Sequence, residues 1–140
     1  MRHKFSTLAD VYDYSTEKFA KRYASGFIEG SQTYTYAQIK EKTDSLSGTL
    51  SSFGVNAEDK VAILSESMPN WTIAFFATTA FGRILVPMLP ELSPTEVENI
   101  LEHSESKVIF VSAKQKAKLS PERIEKLRLV ICLDDFSFIK

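Results

Sequence analysis

The sequence predicts an α/β protein of three layers (α/β/α), with helices on both faces of a mostly parallel sheet and a short hairpin near the N-terminus. Short runs of consecutive apolar residues recur along the chain, as expected for strands covered on both faces of a parallel sheet. Helix-start signals lie between these runs, so strands and helices alternate. The crossovers between parallel strands should be right-handed.

The first helix is predicted to begin after Thr7, whose hydroxyl can cap its N-terminus, and to end at Gly26. Apolar side chains recur near helical spacing over this stretch: Leu8, Val11, Tyr12, Phe19 and Tyr23. The next two short segments, residues 27–29 and 33–35, flank Gly30 and Ser31. A short hairpin is therefore predicted here.

The second helix follows a capping-box pattern formed by Thr35 and Gln38. Its apolar positions fall on one stripe: Ile39, Leu46, Leu50 and Phe53. Gly54 is expected to end it as the first residue past the helix. The third helix is predicted over residues 70–81, with Pro69 in its first turn. It is apolar nearly all round, which predicts a place in the interior.

The four strands of the sheet are predicted at residues 61–64, 84–86, 108–111 and 129–133, all of them buried. Two further helices lie between them. The better start is at residues 93–96, where a capping serine, a proline and a glutamate follow the capping-box pattern. Ser120 and Pro121 begin the other helix, which should be short.

Length and charge limit the function classes. The chain has 140 residues, enough for a single domain over residues 1–140, with residues 1–6 expected to form a flexible tail. Lys and Arg number 17 against 18 Asp and Glu, so no basic surplus indicates a nucleic-acid partner. The longest apolar stretch, residues 71–81, is shorter than the roughly 20 residues of a membrane span. A single cysteine, Cys132, cannot form an internal disulfide, which favours a cytoplasmic protein.

No phosphate-binding loop is evident. Neither a GxGxxG nor a GxxxxGK[ST] pattern occurs between a strand and a helix. Ser67 and Asn70 flank the start of the third helix and could orient a ligand there. Capping is the favoured interpretation, because Ser and Asn are preferred cap residues.

The other chemically reactive side chains have ordinary structural interpretations. His3 falls in the predicted tail and His103 near a helix C-terminus, and neither has a metal-ligand partner at suitable spacing. Cys132 lies in an apolar run, where a thiol behaves as a small hydrophobe. Asp134 and Asp135 follow the last strand, where ligands gather in open sheets. The favoured interpretation is that the two aspartates begin an ordinary loop.

Two side-chain clusters remain. One is the aromatic group Trp71, Phe75, Phe76 and Phe81, which could line an apolar ligand channel. A place in the core is the favoured interpretation of these aromatic side chains. A solvated surface segment is the expected setting of Lys114, Lys116 and Lys118. We therefore predict no catalytic, cofactor-binding or metal-ligating residue in this chain.

Six stretches follow one another in a characteristic order: TYTYAQI at 33–39, DKVAIL at 59–64, SMPNWTIAF at 67–75, FGRILVP at 81–87, LSPTEV at 92–97 and ILEHSESKVIFV at 100–111. Together they resemble the N-terminal region of the adenylate-forming superfamily, which includes the AMP-forming acyl-CoA synthetases and the luciferases. The last two stretches are similar to its long-chain fatty-acid group. Arg83 departs from the family pattern, since it replaces the second glycine of a usual pair, and residues 88–90 also differ.

The resemblance implies that the chain is the partial N-terminal domain of an ATP-dependent long-chain fatty acid–CoA ligase. ATP, Mg²⁺, CoA and a fatty acid are implied for that parent enzyme. The family's phosphate loop, ribose-binding aspartate, hinge and C-terminal lysine do not occur before Lys140. The segment is therefore expected to be a scaffold that binds no cofactor and is inactive alone.

Two alternatives stay open. One is a stand-alone α/β binding or interaction module, and the other is part of a different adenylating enzyme that activates an aryl or amino acid. A scaffold segment should expose an apolar face and self-associate as a homo-oligomer, whereas a stand-alone module should be a closed monomer. Membrane-peripheral attachment of the parent is also compatible with the sequence.

Overall fold

The computed structural model describes residues 4–140. Its helices are α1 (Leu8–Lys18), α2 (Tyr36–Ser52), α3 (Pro69–Thr79), α4 (Pro94–Ser104) and α5 (Pro121–Lys126), with a short 3₁₀ helix at Lys116–Lys118. Its strands are β1 (Tyr23–Ser25), β2 (Tyr34–Thr35), β3 (Lys60–Leu64), β4 (Ile84–Met88), β5 (Val108–Val111) and β6 (Leu129–Cys132). The predicted α/β class is confirmed.

Four strands form one parallel sheet in the order β4-β3-β5-β6, and β1 pairs with β2 in a separate antiparallel pair. Parallel neighbours need crossover connections, which α3, α4 and α5 supply. Side chains alternate across the sheet. On one face Val61, Ile63 and Phe110 pack with α2 and α3, and on the other Ala62 and Ile109 pack with α4. The three predicted layers are thus present.

The predicted helix starts are confirmed by capping hydrogen bonds in the structure. Thr7, Thr35 and Ser93 each accept the N–H of the third helical residue, whose side chain accepts the cap residue's N–H in return. Ser120 accepts the N–H of Arg123 at the start of α5. A cap of this kind stabilises a helix by about 1 kcal/mol.

The predicted tail is covered in part by the structure. Residues 1–3, including His3, lie outside the described residues. Phe5 and Ser6 contact α1: the Phe5 and Tyr14 ring centroids are 5.1 Å apart, and the Ser6 N–H donates to Asp10 at 2.9 Å. The tail over residues 1–6 stays a prediction.

The predicted extent of the first helix is wrong. α1 ends at Lys18, and the chain then extends into β1, where Tyr23 is exposed. The backbone between α1 and β1 forms hydrogen bonds with α2: the carbonyls of Ala20 and Arg22 accept the N–H groups of Ala37 and Tyr36 at its start. A helix through this stretch could not offer those carbonyls to α2.

The hairpin is present, but its first strand lies earlier than predicted. β1 pairs with β2 through Tyr23↔Thr35 and Ser25↔Tyr34. Residues 27–29 therefore belong to the connecting loop, in which Ile28 is fully exposed. The loop is closed by the Phe27 N–H, which donates to the Ser31 carbonyl at 3.1 Å.

The α2 stripe is confirmed except at its end. Ile39, Leu46 and Leu50 are buried, whereas Phe53 is the C-cap residue and is half exposed against Phe138. Gly54 follows at φ +74°, as a residue past a helix end often does.

β4 is an edge strand, so its predicted burial is wrong. Within residues 4–140 it pairs with β3 alone, and Ile84 is 46% exposed. The Ile84 N–H donates to Asp59 on the β3 side, and N–H directions alternate along a strand, so Pro87 falls at an outward position. Proline is tolerated there because no outward hydrogen bond is required.

Arg83 holds two helix ends together. Its side chain is buried, and its hydrogen bonds within residues 4–140 all go to neutral oxygens. It donates to the carbonyls of Val55, Ala77 and Ser47 at 3.0, 2.9 and 3.3 Å, and to the hydroxyls of Ser47 and Ser51 at 2.9 and 2.7 Å. These groups lie near the C-terminal ends of α2 and α3, whose dipoles favour a cation.

Candidate functional site

The candidate site lies at the carboxyl edge of the parallel sheet, where the chain leaves β3, β4, β5 and β6. Ligands of open α/β sheets bind outside this edge because the strand-to-helix loops gather there. A cleft of about 520 Å³ opens between the loops after β3 and β4. A cleft of this size at this edge of the sheet is a candidate ligand site.

The cleft is apolar on one side and polar on the other. Trp71, Pro87 and Leu89 line the apolar side, and Leu89 is 68% exposed. Glu66 and Ser67 line the polar side. A cleft of this kind can hold an apolar group, but it offers no cation to a carboxylate or a phosphate.

Glu66 is held by the neighbouring loop. The fully buried Ser112, just after β5, donates from its hydroxyl to Glu66 Oε2 at 2.9 Å. The Ser112 N–H also donates to the Leu64 carbonyl at 3.1 Å. These bonds hold the loop after β3 against the loop after β5, and Glu66 Oε2 already accepts a hydrogen bond within the protein.

The capping expectation for Ser67 and Asn70 is wrong. The N-cap residue of α3 is Met68, and no side chain caps it. Pro69 occupies the first turn, as predicted. Because proline has no N–H, one of the unpaired groups at the helix start is removed without a cap. Ser67 is exposed and lines the cleft.

Asn70 instead joins three parts of the fold. It is 2% exposed, and its Nδ2 donates to the carbonyls of Leu133 and Asp134 at 2.8 and 2.9 Å. Its Oδ1 accepts from the Tyr34 hydroxyl at 2.9 Å, and burial raises the pKa of that tyrosine. With both ends of its amide bonded, Asn70 is positioned to hold the loop after β6 rather than a ligand.

Asp134 is a second junction at this edge. Its carboxylate accepts the Ala113 N–H at 2.8 Å, and its carbonyl accepts from Gln32 at 3.4 Å as well as from Asn70. Asp135 accepts from the N–H and hydroxyl of Ser137, and these bonds lower the pKa of the Asp135 carboxyl. Both aspartates lie in a turn, but the sequence offered no signal for the long-range partners of Asp134.

Cys132 lies beside this junction. Its sulfur is 3.6 Å from Asp134 Oδ2. Partial burial raises the pKa of the thiol, and the negative charge of Asp134 acts in the same direction. Both effects disfavour the thiolate that a nucleophilic cysteine needs.

The aromatic cluster of α3 is partly exposed. Phe76 packs on Tyr12 and Trp71 stacks on Phe75, each pair with ring centroids 5.4 Å apart, and the three α3 rings are all partly exposed. Phe81 is more exposed still. The predicted interior position of this helix is therefore wrong for one face. The face that packs on the sheet carries the fully buried residues Ile73, Ala74 and Ala77.

The remaining candidates have structural surroundings. Lys114 and Lys116 are exposed, and Lys118 donates to the Pro90 carbonyl. His103 lies exposed in the last turn of α4. Within residues 4–140, no three His, Cys, Asp or Glu side chains are grouped as a metal site requires. No helix in the described part of the chain is long and apolar enough to cross a membrane.

Comparison with known proteins decides the family. The family model described as AMP-binding enzyme matches residues 13–140. The chain belongs to this family. Among curated relatives, it is 30% identical over 132 residues to "Long chain acyl-CoA synthetase 4" of Arabidopsis thaliana, a match covering 87% of this chain and 20% of that protein.

Other relatives differ in the acid that they are named for. The chain is 26% identical over 140 residues to "Crotonobetaine/carnitine--CoA ligase" of Escherichia coli, covering 98% of this chain and 26% of that protein. A solved structure described as a putative long-chain-fatty-acid CoA ligase from Rhodopseudomonas palustris is 25% identical. It superposes with a TM-score of 0.82, covering 96% of this chain and 34% of that one.

The chain spans only about a fifth to a quarter of the length of these curated relatives. The α/β fold, with its parallel four-stranded sheet and separate hairpin, matches the N-terminal part of adenylate-forming enzymes.

Proposed function

We propose that this AMP-binding-family chain is the N-terminal scaffold of an ATP-dependent long-chain fatty acid–CoA ligase and is inactive by itself. The observation that carries the long-chain assignment is the 30% identity to a long-chain acyl-CoA synthetase across 87% of the chain. The LSPTEV stretch at residues 92–97 supports it, because it forms the capped start of α4 and resembles the long-chain group.

The parent reaction has two steps. The fatty acid carboxylate attacks the α-phosphate of ATP, which gives an acyl-adenylate and pyrophosphate, and the CoA thiol then displaces AMP to form the thioester. Both steps place negative charge on phosphate oxygens, which cationic or N–H donors must stabilise. ATP, Mg²⁺ and CoA are therefore proposed as ligands of the parent.

The residues that line the candidate cleft do not fit those ligands. The cleft carries Glu66 and Glu91 and no cationic side chain. The described residues also contain no group of metal-ligating side chains. We therefore assign no step of the reaction to this chain. Its proposed contribution is the sheet edge and the apolar side of the cleft, formed by Trp71, Pro87 and Leu89.

The decisive experiment uses the source gene beyond the codon for Lys140. Its longest in-frame product is assayed for pyrophosphate and AMP release with hexadecanoate, ATP, Mg²⁺ and CoA, and the 140-residue chain is the matched control. We expect release by the longer product only. A stop codon directly after Lys140 would remove the ligase proposal and favour a stand-alone binding or interaction module.

A second candidate differs only in the acid. The similarity to a crotonobetaine/carnitine–CoA ligase spans the whole chain, so a parent that activates a shorter or more polar acid is the alternative. Aryl and amino acids belong in the same substrate panel. Preference for any of these over hexadecanoate in kcat/KM would replace the long-chain assignment and keep the adenylate-forming class.

The chain alone should self-associate through an apolar surface that we call the β4 edge. It consists of the exposed residues Ile84, Pro87 and Leu89 and the partly exposed Trp71 and Phe75, beside the edge strand β4. Apolar surface of this kind is typically covered by a partner. Light scattering should give a mass above that of a monomer. A monomer that binds no hydrophobic dye would contradict this. We also propose a cytoplasmic location for the protein.

A further inference from the structure

An apolar cavity lies where the N-terminal elements meet α2 and α3. It has a volume of about 250 Å³ and is enclosed by four elements, α1, β1, α2 and α3. Among residues 4–140, no charged side chain lines it. Its lining is mainly aliphatic and aromatic, with contributions from Val11, Ala24 and Ile39 and from the rings of Tyr12, Tyr36 and Phe76.

The cavity is separate from the candidate cleft at the carboxyl edge of the sheet. Trp71 lines that cleft, whereas Thr72 and Phe76 line the cavity. The two sites therefore lie on different sides of the same helix, α3. Occupancy of the cavity thus does not depend on the proposed ligase reaction.

The buried wall of the cavity offers few hydrogen-bonding partners to water. Tyr12, Thr16 and Ile39 form this wall and are at most 4% exposed. The Tyr12 hydroxyl donates to Asp44 Oδ1 at 2.7 Å, and the Thr16 hydroxyl donates to the Tyr12 carbonyl at 2.8 Å. Because a bound water molecule needs several polar partners, an apolar molecule suits this wall better.

Aromatic rings set the kind of apolar molecule. Tyr12 and Phe76 stack with ring centroids 5.4 Å apart, and Tyr36 lies across the cavity lining on α2. A further ring can make the offset or edge-to-face contacts that aromatic side chains prefer. An apolar cavity of about 150 Å³ already binds benzene, so about 250 Å³ leaves room for one substituted ring.

We propose that this cavity is a binding site for a small apolar aromatic molecule, of the size of one benzene ring with a short alkyl substituent. Partly exposed lining residues, among them Ser15, Tyr36 and Thr72, give the ligand access from solvent. A ligand in the cavity contacts α1 and β1 as well as α2 and α3. It should therefore stabilise the packing of the N-terminal elements, because a molecule that binds only the folded chain stabilises that chain.

The test is an NMR titration of the 140-residue chain with toluene. Saturable shifts are expected at Val11, Ala24, Thr72 and Phe76, and saturating toluene should raise the midpoint of urea unfolding. Cyclohexane has no aromatic edge and should bind about three-fold more weakly, once its lower solubility in water is allowed for. Absence of saturable shifts up to the solubility limit of toluene would overturn the site. Equal affinity for cyclohexane would overturn the aromatic ligand class.

Variants that fill the cavity separate this site from general adsorption to apolar surface. Ala24→Leu occupies part of the cavity and should weaken toluene binding about ten-fold. Thr72→Leu is the second filling variant should Ala24→Leu fail to fold. The control is Gly48→Ala on the exposed face of α2, where an added methyl meets nothing within 4 Å, and it should bind toluene like wild type. Wild-type affinity in a folded filling variant would refute the site.

Discussion

Replacing Arg83 with leucine should be the most informative test of how this fold is held together. The guanidinium is 6% exposed and donates five hydrogen bonds to groups near the ends of α2 and α3. Desolvation lowers the pKa of Arg83, and the more distant Asp59 opposes that shift. Within residues 4–140, no carboxylate accepts a hydrogen bond from Arg83, so its buried charge is stabilised by carbonyl and hydroxyl dipoles.

The magnitude follows from the groups left without a donor. In Arg83→Leu, the carbonyls of Val55 and Ala77 each lose a charge-assisted hydrogen bond at 3.0 and 2.9 Å. A buried polar group deprived of its partner costs about 1–3 kcal/mol. Removing the buried charge recovers part of this, because desolvating an ion is unfavourable. The expected net loss in the free energy of unfolding is about 2–4 kcal/mol.

Urea unfolding followed by circular dichroism measures this loss. With an m-value of about 2 kcal/mol/M, within the usual range for small proteins, the midpoint should fall by roughly 1–2 M. The matched control is Arg128→Leu, since Arg128 is exposed and donates to the Gly54 carbonyl at 2.6 Å. That variant should lose less than about 1 kcal/mol. An unchanged or higher midpoint for Arg83→Leu would refute the reasoning and show that the buried charge is a net cost.

Three further predictions concern single contacts. Arg123 donates to Glu98, and this hydrogen bond lowers the pKa of the Glu98 carboxyl. The ion pair therefore stabilises the fold above the unfolded-state pKa of about 4.3, and this stabilisation is lost as the pH falls through the folded-state pKa. The unfolding free energy of Glu98→Gln should therefore fall less steeply than wild type between about pH 5 and pH 3, and parallel curves would contradict this. Asn70→Ala should cost about 2–3 kcal/mol in urea unfolding, because two carbonyls lose their donor, whereas Ser67→Ala should change it by less than about 0.5 kcal/mol. Thr35→Ala removes an N-cap and should cost about 1 kcal/mol, and a loss near zero would show that the capping bond is not needed.

Features set by local sequence were predictable. The four apolar runs became the four sheet strands, because a strand covered on both faces needs no polar alternation. The helix starts at Thr7, Thr35 and Ser93 were equally clear, since a cap is formed by residues three apart. These signals are complete within a few residues of the chain.

Features set by distant partners were not predictable. The predicted first helix ran on to Gly26, but the carbonyls of Ala20 and Arg22 are needed at the start of α2, and tertiary structure overrode the helical pattern. β4 reads like the other strands, and only its place in the sheet makes it an edge. Asn70 resembles a cap residue in sequence, yet its partners Leu133 and Asp134 lie more than sixty positions away.

The same contacts explain why the carboxyl edge suits a scaffold better than a reacting site. A group that acts on a substrate must be able to give its hydrogen bonds to that substrate. Here the amide of Asn70 is bonded at both ends, Asp134 accepts from the loop after β5, and Ser112 donates to Glu66. These bonds are already engaged in holding the loops after β3, β5 and β6 to one another. An edge built in this way presents a fixed frame, which agrees with the scaffold role proposed for this chain.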